Sequence, residues 1–304
     1  MLFDTPVITC NEEVALEFPY DIRLFVKRED RIHPVIPGNK YRKLRYNLRE
    51  ARRGKYSRLL TFGGAFSNHI AAVAAAGAAT GFSTVGIIRG EELEAKIDEN
   101  PTLRYARECG MTLKFVSRSA YRLKTEPLFL EALQKEFGPF YLLPEGGTNA
   151  LAVKGCEEII GEADRVFDMI CCPVGTGGTL CGLINSAFDC QYVLGFSAVK
   201  GDFLQADIRR FVHKEHWKLI NNYHFGGFGK VNAGLIAFIN DFKRKTGIPL
   251  DPVYTGKMIY GIMELIEAGY FKAGSKILAI HTGGLQGIAG MNLRLERKQL
   301  PKII

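Results

Sequence analysis

Lys40 stands in the run Pro37-Gly38-Asn39-Lys40-Tyr41-Arg42-Lys43-Leu44, where a glycine turn meets the start of a helical pattern. Two distant segments give a lysine there a task. Gly63-Gly64-Ala65-Phe66-Ser67-Asn68-His69 offers a hydroxyl and an amide where a loop opens a helix. Val174-Gly175-Thr176-Gly177-Gly178-Thr179 offers a glycine-rich turn between a strand and a helix. An amine nucleophile, a hydroxyl–amide pair and an anion cradle are the parts that pyridoxal phosphate chemistry uses.

Taken one at a time, these motifs are ordinary. The glycines of 175–179 let backbone N–H groups turn towards an anion, and the helix start adds positive dipole. The loop matches neither G-x-x-x-x-G-K-[ST] nor G-x-G-x-x-G, since Leu180 lies three after Gly177, and a plain tight turn would look the same. Ser67 and Asn68 would also serve as a helix N-cap. Lys43, one turn beyond Lys40, would share its helical face. One amine could then meet an aldehyde and the other a phosphate. Gly226-Gly227-Phe228-Gly229-Lys230 reads as a lid or as a structural turn. His213-Lys214-Glu215-His216 has i, i+3 spacing without zincin order, so it reads as a solvated helix face, and no metal site is expected.

The elements that must hold these residues alternate. Strands are predicted at 23–27, 58–62, 83–88, 112–116, 140–143, 166–172, 192–197 and 276–280. Helices are predicted at 39–53, 68–80, 101–109, 126–137, 150–160, 179–188, 203–214, 232–245 and 255–268, with a last short one after Gly284. In the first helix Tyr41, Leu44, Leu48 and Ala51 recur at three and four, which is helical spacing. The alanine-rich segment from Asn68 to Thr80 has small side chains all round and reads as a helix buried on a sheet. Thr148 and Asn149 are candidate caps for the helix at 150. Strand–helix alternation with apolar strands predicts an α/β fold with mostly parallel sheets. The Gly/Pro-containing stretches near 38–45 and 144–149 divide it into a large domain, 1–42 plus 149–304, and a smaller inserted α/β domain, 43–148. Ligands in such folds lie at the carboxyl ends of strands, where the candidate residues fall.

Composition narrows the function classes. The formal charge is +8, but Lys and Arg are spread along the chain with no basic tail, so no nucleic-acid partner is expected. Seven cysteines form no C-x-x-C pair, and Cys171-Cys172 sit in an apolar run; they read as reduced core thiols of a cytoplasmic protein. No signal peptide is indicated at the N-terminus, and the longest apolar stretch, Ile70 to Ala79, is too short to span a bilayer.

The ordered set Gly38-Asn39-Lys40 with Arg42-Lys43-Leu44, Ser67-Asn68-His69, Pro144-Glu145-Gly146-Gly147, Gly175-Thr176-Gly177-Gly178-Thr179, Tyr254 with Gly256-Lys257, and His281-Thr282-Gly283-Gly284 resembles a known family. It looks like the 1-aminocyclopropane-1-carboxylate (ACC) deaminase / D-cysteine desulfhydrase family of pyridoxal 5'-phosphate (PLP) enzymes. The resemblance covers residues 20–295. It implies fold type II, the tryptophan synthase β-like arrangement of two open, twisted, mostly parallel sheets flanked by helices, and a homodimer. It implies that Lys40 bonds covalently to PLP, that Lys43 and Gly175, Thr176, Gly177, Gly178 and Thr179 hold the phosphate, and that Asn68 meets the ring oxygen. Ser67, with Asn68 and His69, would take the substrate carboxylate, and Ser67 and Tyr254 would join Lys40 as catalytic residues, Ser67 aiding removal of the Cα proton and Tyr254 protonating the departing thiol. Tyr254, Thr255 and Phe228 would border the substrate side chain, and Thr282 would face the pyridine nitrogen.

Two positions separate the branches. The deaminases read YEGKS and HLGG, whereas this chain has Thr255 after Tyr254 and Thr282 after His281, as the D-cysteine desulfhydrase branch does. A carboxylate beside the ring nitrogen would keep it protonated and make the ring a strong electron sink; a threonine hydroxyl gives a weaker one, which suits β-elimination. Phe228 departs from the family's usual Tyr. The expected activity is therefore a β-eliminating lyase on a small amino acid, most like D-cysteine. The alternatives are ACC deamination and PLP binding without turnover.

Overall fold

Short apolar runs alternate with amphipathic ones, and the chain pairs the apolar runs into two sheets. The computed structural model describes residues 3, 7–34, 36, 38–201 and 204–304; Pro37 and Phe203, placed above in the lysine turn and at a helix start, lie outside them. Among the described residues, the strands are β1 (Asn11–Glu13), β2 (Arg23–Lys27), β3 (Arg58–Gly63), β4 (Ser83–Arg89) and β5 (Thr112–Val116). They continue with β6 (Tyr141–Leu143), β7 (Met169–Val174), β8 (Tyr192–Ser197), β9 (Trp217–Ile220) and β10 (Lys276–Ile280). One sheet has the order β1-β2-β10-β7-β8-β9 and the other β5-β4-β3-β6. Only β1 runs antiparallel to its neighbour; the other pairs are parallel. The two mostly parallel sheets match the expected fold class.

Helices cover both faces of each sheet, as parallel sheets require. They are α1 (Asn39–Arg53), α2 (Asn68–Thr80), α3 (Pro101–Glu108), α4 (Arg118–Arg122), α5 (Pro127–Phe137) and α6 (Ala150–Glu157). The rest are α7 (Gly178–Ser186), α8 (Leu204–Arg209), α9 (Ala233–Thr246), α10 (Thr255–Glu267) and α11 (Gly287–Glu296). In β10, Ile277 and Ala279 point into the layer packed by α9, α10 and α11, while Leu278 and Ile280 join the layer of α6, α7 and α8. That is the period-2 alternation of a strand buried on both sides. The smaller sheet is covered by α1, α2 and α3 on one face and by α4 and α5 on the other.

Helix α1 buries Tyr41, Leu44, Leu48 and Ala51, as its spacing predicts, and also Arg42, Arg45 and Asn47. These polar side chains are paired rather than solvated. Arg42 donates to both Glu29 oxygens at 2.8 and 2.9 Å, and Arg45 pairs with Glu158. The pairing explains why a helix with a charged sequence can lie between two sheets.

Three expectations change. The helix predicted over 203–214 stops at Arg209. The Asn185 amide donates to the Phe211 carbonyl at 3.0 Å, and the His213 N–H donates back to Asn185 at 3.3 Å, which draws the chain out of the helix. Residues 213–216 are consequently not a helix face but the lead into β9, which pairs with β8. The strand predicted from Val166 begins at Met169, because 162–166 form a tight 3-10 turn.

Candidate active site

The cleft lies where β2, β3, β6, β7 and β10 end, and it encloses about 920 Å³. Lys40, Lys43, Ser67, Asn68, His69, Gly175, Thr176, Gly177, Thr179, Phe228, Tyr254 and Thr282 all line it. Residues more than two hundred positions apart thus share one wall, because parallel strands deliver all their C-terminal loops to the same edge.

Lys40 is set by the first turn of α1. The preceding Gly38 has φ +66°, and a Cβ there would lie 2.0 Å from the Thr282 carbonyl oxygen, so only glycine lets the helix start this close to the end of β10. Gly38 N–H donates to Glu29 O at 2.9 Å and Asn39 N–H to Thr282 O at 3.3 Å. The Asn39 side chain donates to Thr179 Oγ1 at 2.8 Å and accepts from Lys40 Nζ at 3.0 Å. Lys40 keeps some surface towards the cleft, yet protein surrounds its amine. Burial, and then the charge of Lys43, push that amine down to about 7. At neutral pH a large share of it is the nucleophilic free base.

Lys43 lies deeper, 3% exposed. Its ammonium donates to the Gly146 carbonyl at 3.0 Å and to Thr148 Oγ1 at 3.1 Å, and Thr148 Oγ1 is 2.6 Å from Thr176 Oγ1. Burial lowers its pKa. A Cβ built on Gly178 would stand 2.8 Å from Thr148 Oγ1 and 3.2 Å from Lys43 Nζ, so that glycine keeps open a hollow at the start of α7 beside a buried cation. The first N–H groups of a helix have no partner inside it. A cation bonded only to neutral oxygens, two threonine hydroxyls and a helix start fit a phosphate. Of the two caps foreseen for α6, Asn149 is the one used, accepting from Ala152 N–H at 2.9 Å; Thr148 turns to Lys43 instead.

On the facing wall Ser67 caps α2, accepting from Ile70 N–H at 3.3 Å. Its own hydroxyl proton is left for the cleft. Asn68 accepts from the Gln286 amide at 3.1 Å. His69 is buried, and neither ring nitrogen has a partner in hydrogen-bonding geometry. The Pro144 carbonyl only mildly favours its charged form; burial, then Lys40 and Lys43, hold its pKa far below the usual range, so the ring is neutral. Phe228 meets Tyr254 edge-on at 5.9 Å, and burial with the charges of Asp251 and Glu145 keeps the Tyr254 hydroxyl protonated.

Thr255 corrects an expectation. It is fully buried and does not reach the cleft. Its hydroxyl donates to Asp251 Oδ2 at 2.7 Å and accepts from Asp251 N–H at 2.9 Å, so it positions Tyr254 rather than touching a substrate. Asp251 itself escaped the reading of the sequence. Its carboxylate also accepts from the N–H groups of Val253, Tyr254 and Thr255 at 2.8–2.9 Å, which caps α10. The available signal was an Asp a few residues ahead of a helical run. Gln286 was likewise not singled out, and Glu145 was quoted in its motif with no role; both line the cleft.

Comparison with known proteins agrees with this geometry. A family model described as pyridoxal-phosphate dependent enzyme matches residues 2–187. A putative 1-aminocyclopropane-1-carboxylate deaminase of Pyrococcus furiosus is 32% identical, with 87% of this chain and 85% of that protein aligned. The mitochondrial bifunctional D-cysteine desulfhydrase/1-aminocyclopropane-1-carboxylate deaminase of Arabidopsis thaliana is 30% identical over 89% of this chain and 74% of its own length. Among solved structures, an ACC deaminase homologue superposes with a TM-score of 0.81 at 26% identity, covering 97% of both chains.

Proposed function

Because the chain belongs to the family of pyridoxal-phosphate dependent enzymes, we propose that it is a lyase converting D-cysteine to pyruvate, ammonia and hydrogen sulfide. It has fold type II, it is ACC deaminase-like, and its cofactor is pyridoxal 5'-phosphate. In this reading Lys40 carries the cofactor, Lys43 and residues 175–179 hold its phosphate, Asn68 its ring oxygen, and Thr282 its pyridine nitrogen. Bound PLP supplies an electron sink for a carbanion at the substrate Cα.

The chain's own groups do the rest. Ser67, Asn68 and His69 orient the substrate carboxylate, the neutral His69 adding no charge. Lys40, free-base near neutral pH, takes the Cα proton. The Tyr254 hydroxyl, held in its protonated form, donates a hydrogen bond to the departing sulfur. Phe228, edge-on to Tyr254, shields that bond from water.

One observation favours β-elimination over ring opening. The carboxylates lining the cleft among the described residues are Asp30, Glu145 and Asp251, and all are engaged. Asp30 accepts from Arg28 at 2.7 and 2.9 Å, Glu145 pairs with Lys124 at 3.4 Å, and Asp251 holds the start of α10. The Thr282 hydroxyl is then the group for a ring nitrogen, and a neutral ring is a weaker sink. A weaker sink suffices where a good leaving group departs, as the cysteine thiol does. The name of the Pyrococcus furiosus relative favours ACC deamination as the second reading.

The test is to incubate the PLP-loaded protein with both enantiomers of cysteine, serine and β-chloroalanine, and with ACC. Pyruvate and sulfide from D-cysteine are expected. 2-Oxobutanoate from ACC at a rate matching D-cysteine turnover would overturn the preference.

A further inference from the structure

Beside the catalytic cleft, on the outer face of the smaller sheet, lies a second recess of about 220 Å³. Arg89, Arg118, Arg122 and Lys124 surround it, with Tyr121 and Glu145 completing the wall. Two features set it apart from a solvated charged surface. The first is Tyr121, 2% exposed, whose hydroxyl has no partner in hydrogen-bonding geometry. Burial first, and then the Glu145 carboxylate that faces it, keep that hydroxyl protonated, so it is a donor whose nearest acceptor is Glu145 and which an incoming oxyanion would share. Burying an unpaired hydroxyl is unfavourable, and structures seldom leave one without a use. The second is the charge balance. Arg118 pairs with Glu92 at 2.6 Å and Lys124 with Glu145 at 3.4 Å, while Arg89 and Arg122 have no carboxylate partner among the described residues. Arg89 and Lys124 both pack against the Tyr121 ring, 5.6 and 5.2 Å from its centre, which sets two cations beside the ring that carries the hydroxyl.

We propose that this recess binds a small oxyanion, a phosphate or carboxylate group, between Arg89, Arg122, Lys124 and the Tyr121 hydroxyl. Its size suits a single such group rather than a polymer. Guanidinium groups grip an oxyanion in pairs of bonds, and a hydroxyl supplies one more. The site is coupled to the catalytic cleft through two shared wall residues, Arg89 and Glu145. An anion competes with Glu145 for Lys124, and the next residue, Gly146, is the one whose carbonyl accepts from Lys43. The group has two possible sources: a free anion acting as an effector, or the acidic tail of an amino acid seated in the cleft.

The experiment is calorimetric titration of inorganic phosphate into the PLP-loaded protein at low salt, where the cofactor's own phosphate already fills the cradle. It needs no turnover, so it stands or falls apart from the D-cysteine reading. Tyr121→Phe keeps the buried ring and Arg122→Gln changes an exposed side chain, so both variants fold and keep basal cysteine turnover. Each should weaken phosphate binding at least about fivefold, and added sodium chloride should weaken it further. Absence of binding in the unsubstituted protein, or binding in both variants as tight as in the unsubstituted protein, overturns the proposal. Kinetics then separate the sources. Phosphate that alters cysteine turnover, but not in Arg122→Gln, marks an effector. A KM for D-amino acids with a distal carboxylate that rises in Arg122→Gln, with the cysteine KM unmoved, marks a substrate tail.

Discussion

Asp251 and Thr255 hold each other by three bonds: the threonine hydroxyl donates to the carboxylate at 2.7 Å and accepts from the aspartate N–H at 2.9 Å, and the threonine N–H donates to the carboxylate at 2.8 Å. Both residues are buried, and Tyr254 lies between them in sequence with its own N–H bonded to Asp251 at 2.9 Å. The pair therefore fixes the direction of the cleft tyrosine. Thr255→Val keeps the volume and leaves a buried N–H and a carboxylate oxygen short of a partner. Stability should fall by about 1–3 kcal/mol, read from the denaturant midpoint. The D-cysteine kcat should fall while cofactor loading stays complete.

Lys40 yields a pH prediction. Its folded amine gives up its proton near 7, whereas an unfolded lysine does so near 10.4. Between these values the unfolded chain binds more protons, so this group makes the cofactor-free protein more stable as pH rises through the window. The denaturant midpoint should climb less from pH 7 to 9 in Lys40→Met than in the unsubstituted protein. Cofactor loading of the free protein should quicken about tenfold per pH unit below 7 and level off above it, tracking the neutral amine. Lys40→Ala should lose both the visible absorbance of the bound cofactor and the activity.

Lys257 is a buried ammonium that donates to the carbonyls of His224 at 2.8 Å and Gly227 at 2.9 Å, with burial pushing its pKa down to about 8. It anchors the loop that carries Phe228 to Tyr254. Lys257→Met keeps the chain length and removes the anchor. Backbone amides at 225–229 should exchange with deuterium faster, and the cysteine KM should rise several-fold, with PLP absorbance unchanged. An unaltered exchange pattern would rule out the anchoring role.

Arg42 and Glu29 form a buried two-point ion pair between the segment after β2 and the helix that bears Lys40. Removing one partner strands the other charge, so Arg42→Met should destabilise the fold by about 3–5 kcal/mol. Replacing both, as Arg42→Met with Glu29→Gln, should recover much of that loss in the same unfolding assay.

The parts legible in the sequence were those with a local signature. Strands such as β8 and β10 are apolar runs with clear edges, and α1 and α2 carry their period or their alanines openly. The site residues stood out because glycines and hydroxyls cluster where strands end. What escaped notice depends on partners distant in sequence. β9 is only Trp217–Ile220 and exists through its pairing with β8. The early stop of α8 comes from Asn185, which no local pattern around 210 could reveal. Thr255 looked like a substrate contact because it follows Tyr254, yet a helix turns adjacent residues about 100° apart, and its hydroxyl went to Asp251 instead.

Gly38 places a constraint on how this chain can drift. The position is two residues from the lysine and carries no functional group, but a methyl there would collide with the Thr282 carbonyl. Alanine, the mildest change elsewhere, would push the start of α1 away from the end of β10 and carry Lys40 with it. Variation near this site is therefore channelled away from the turn and into the loops around Phe228, where open space lets substrate choice diverge without disturbing the amine.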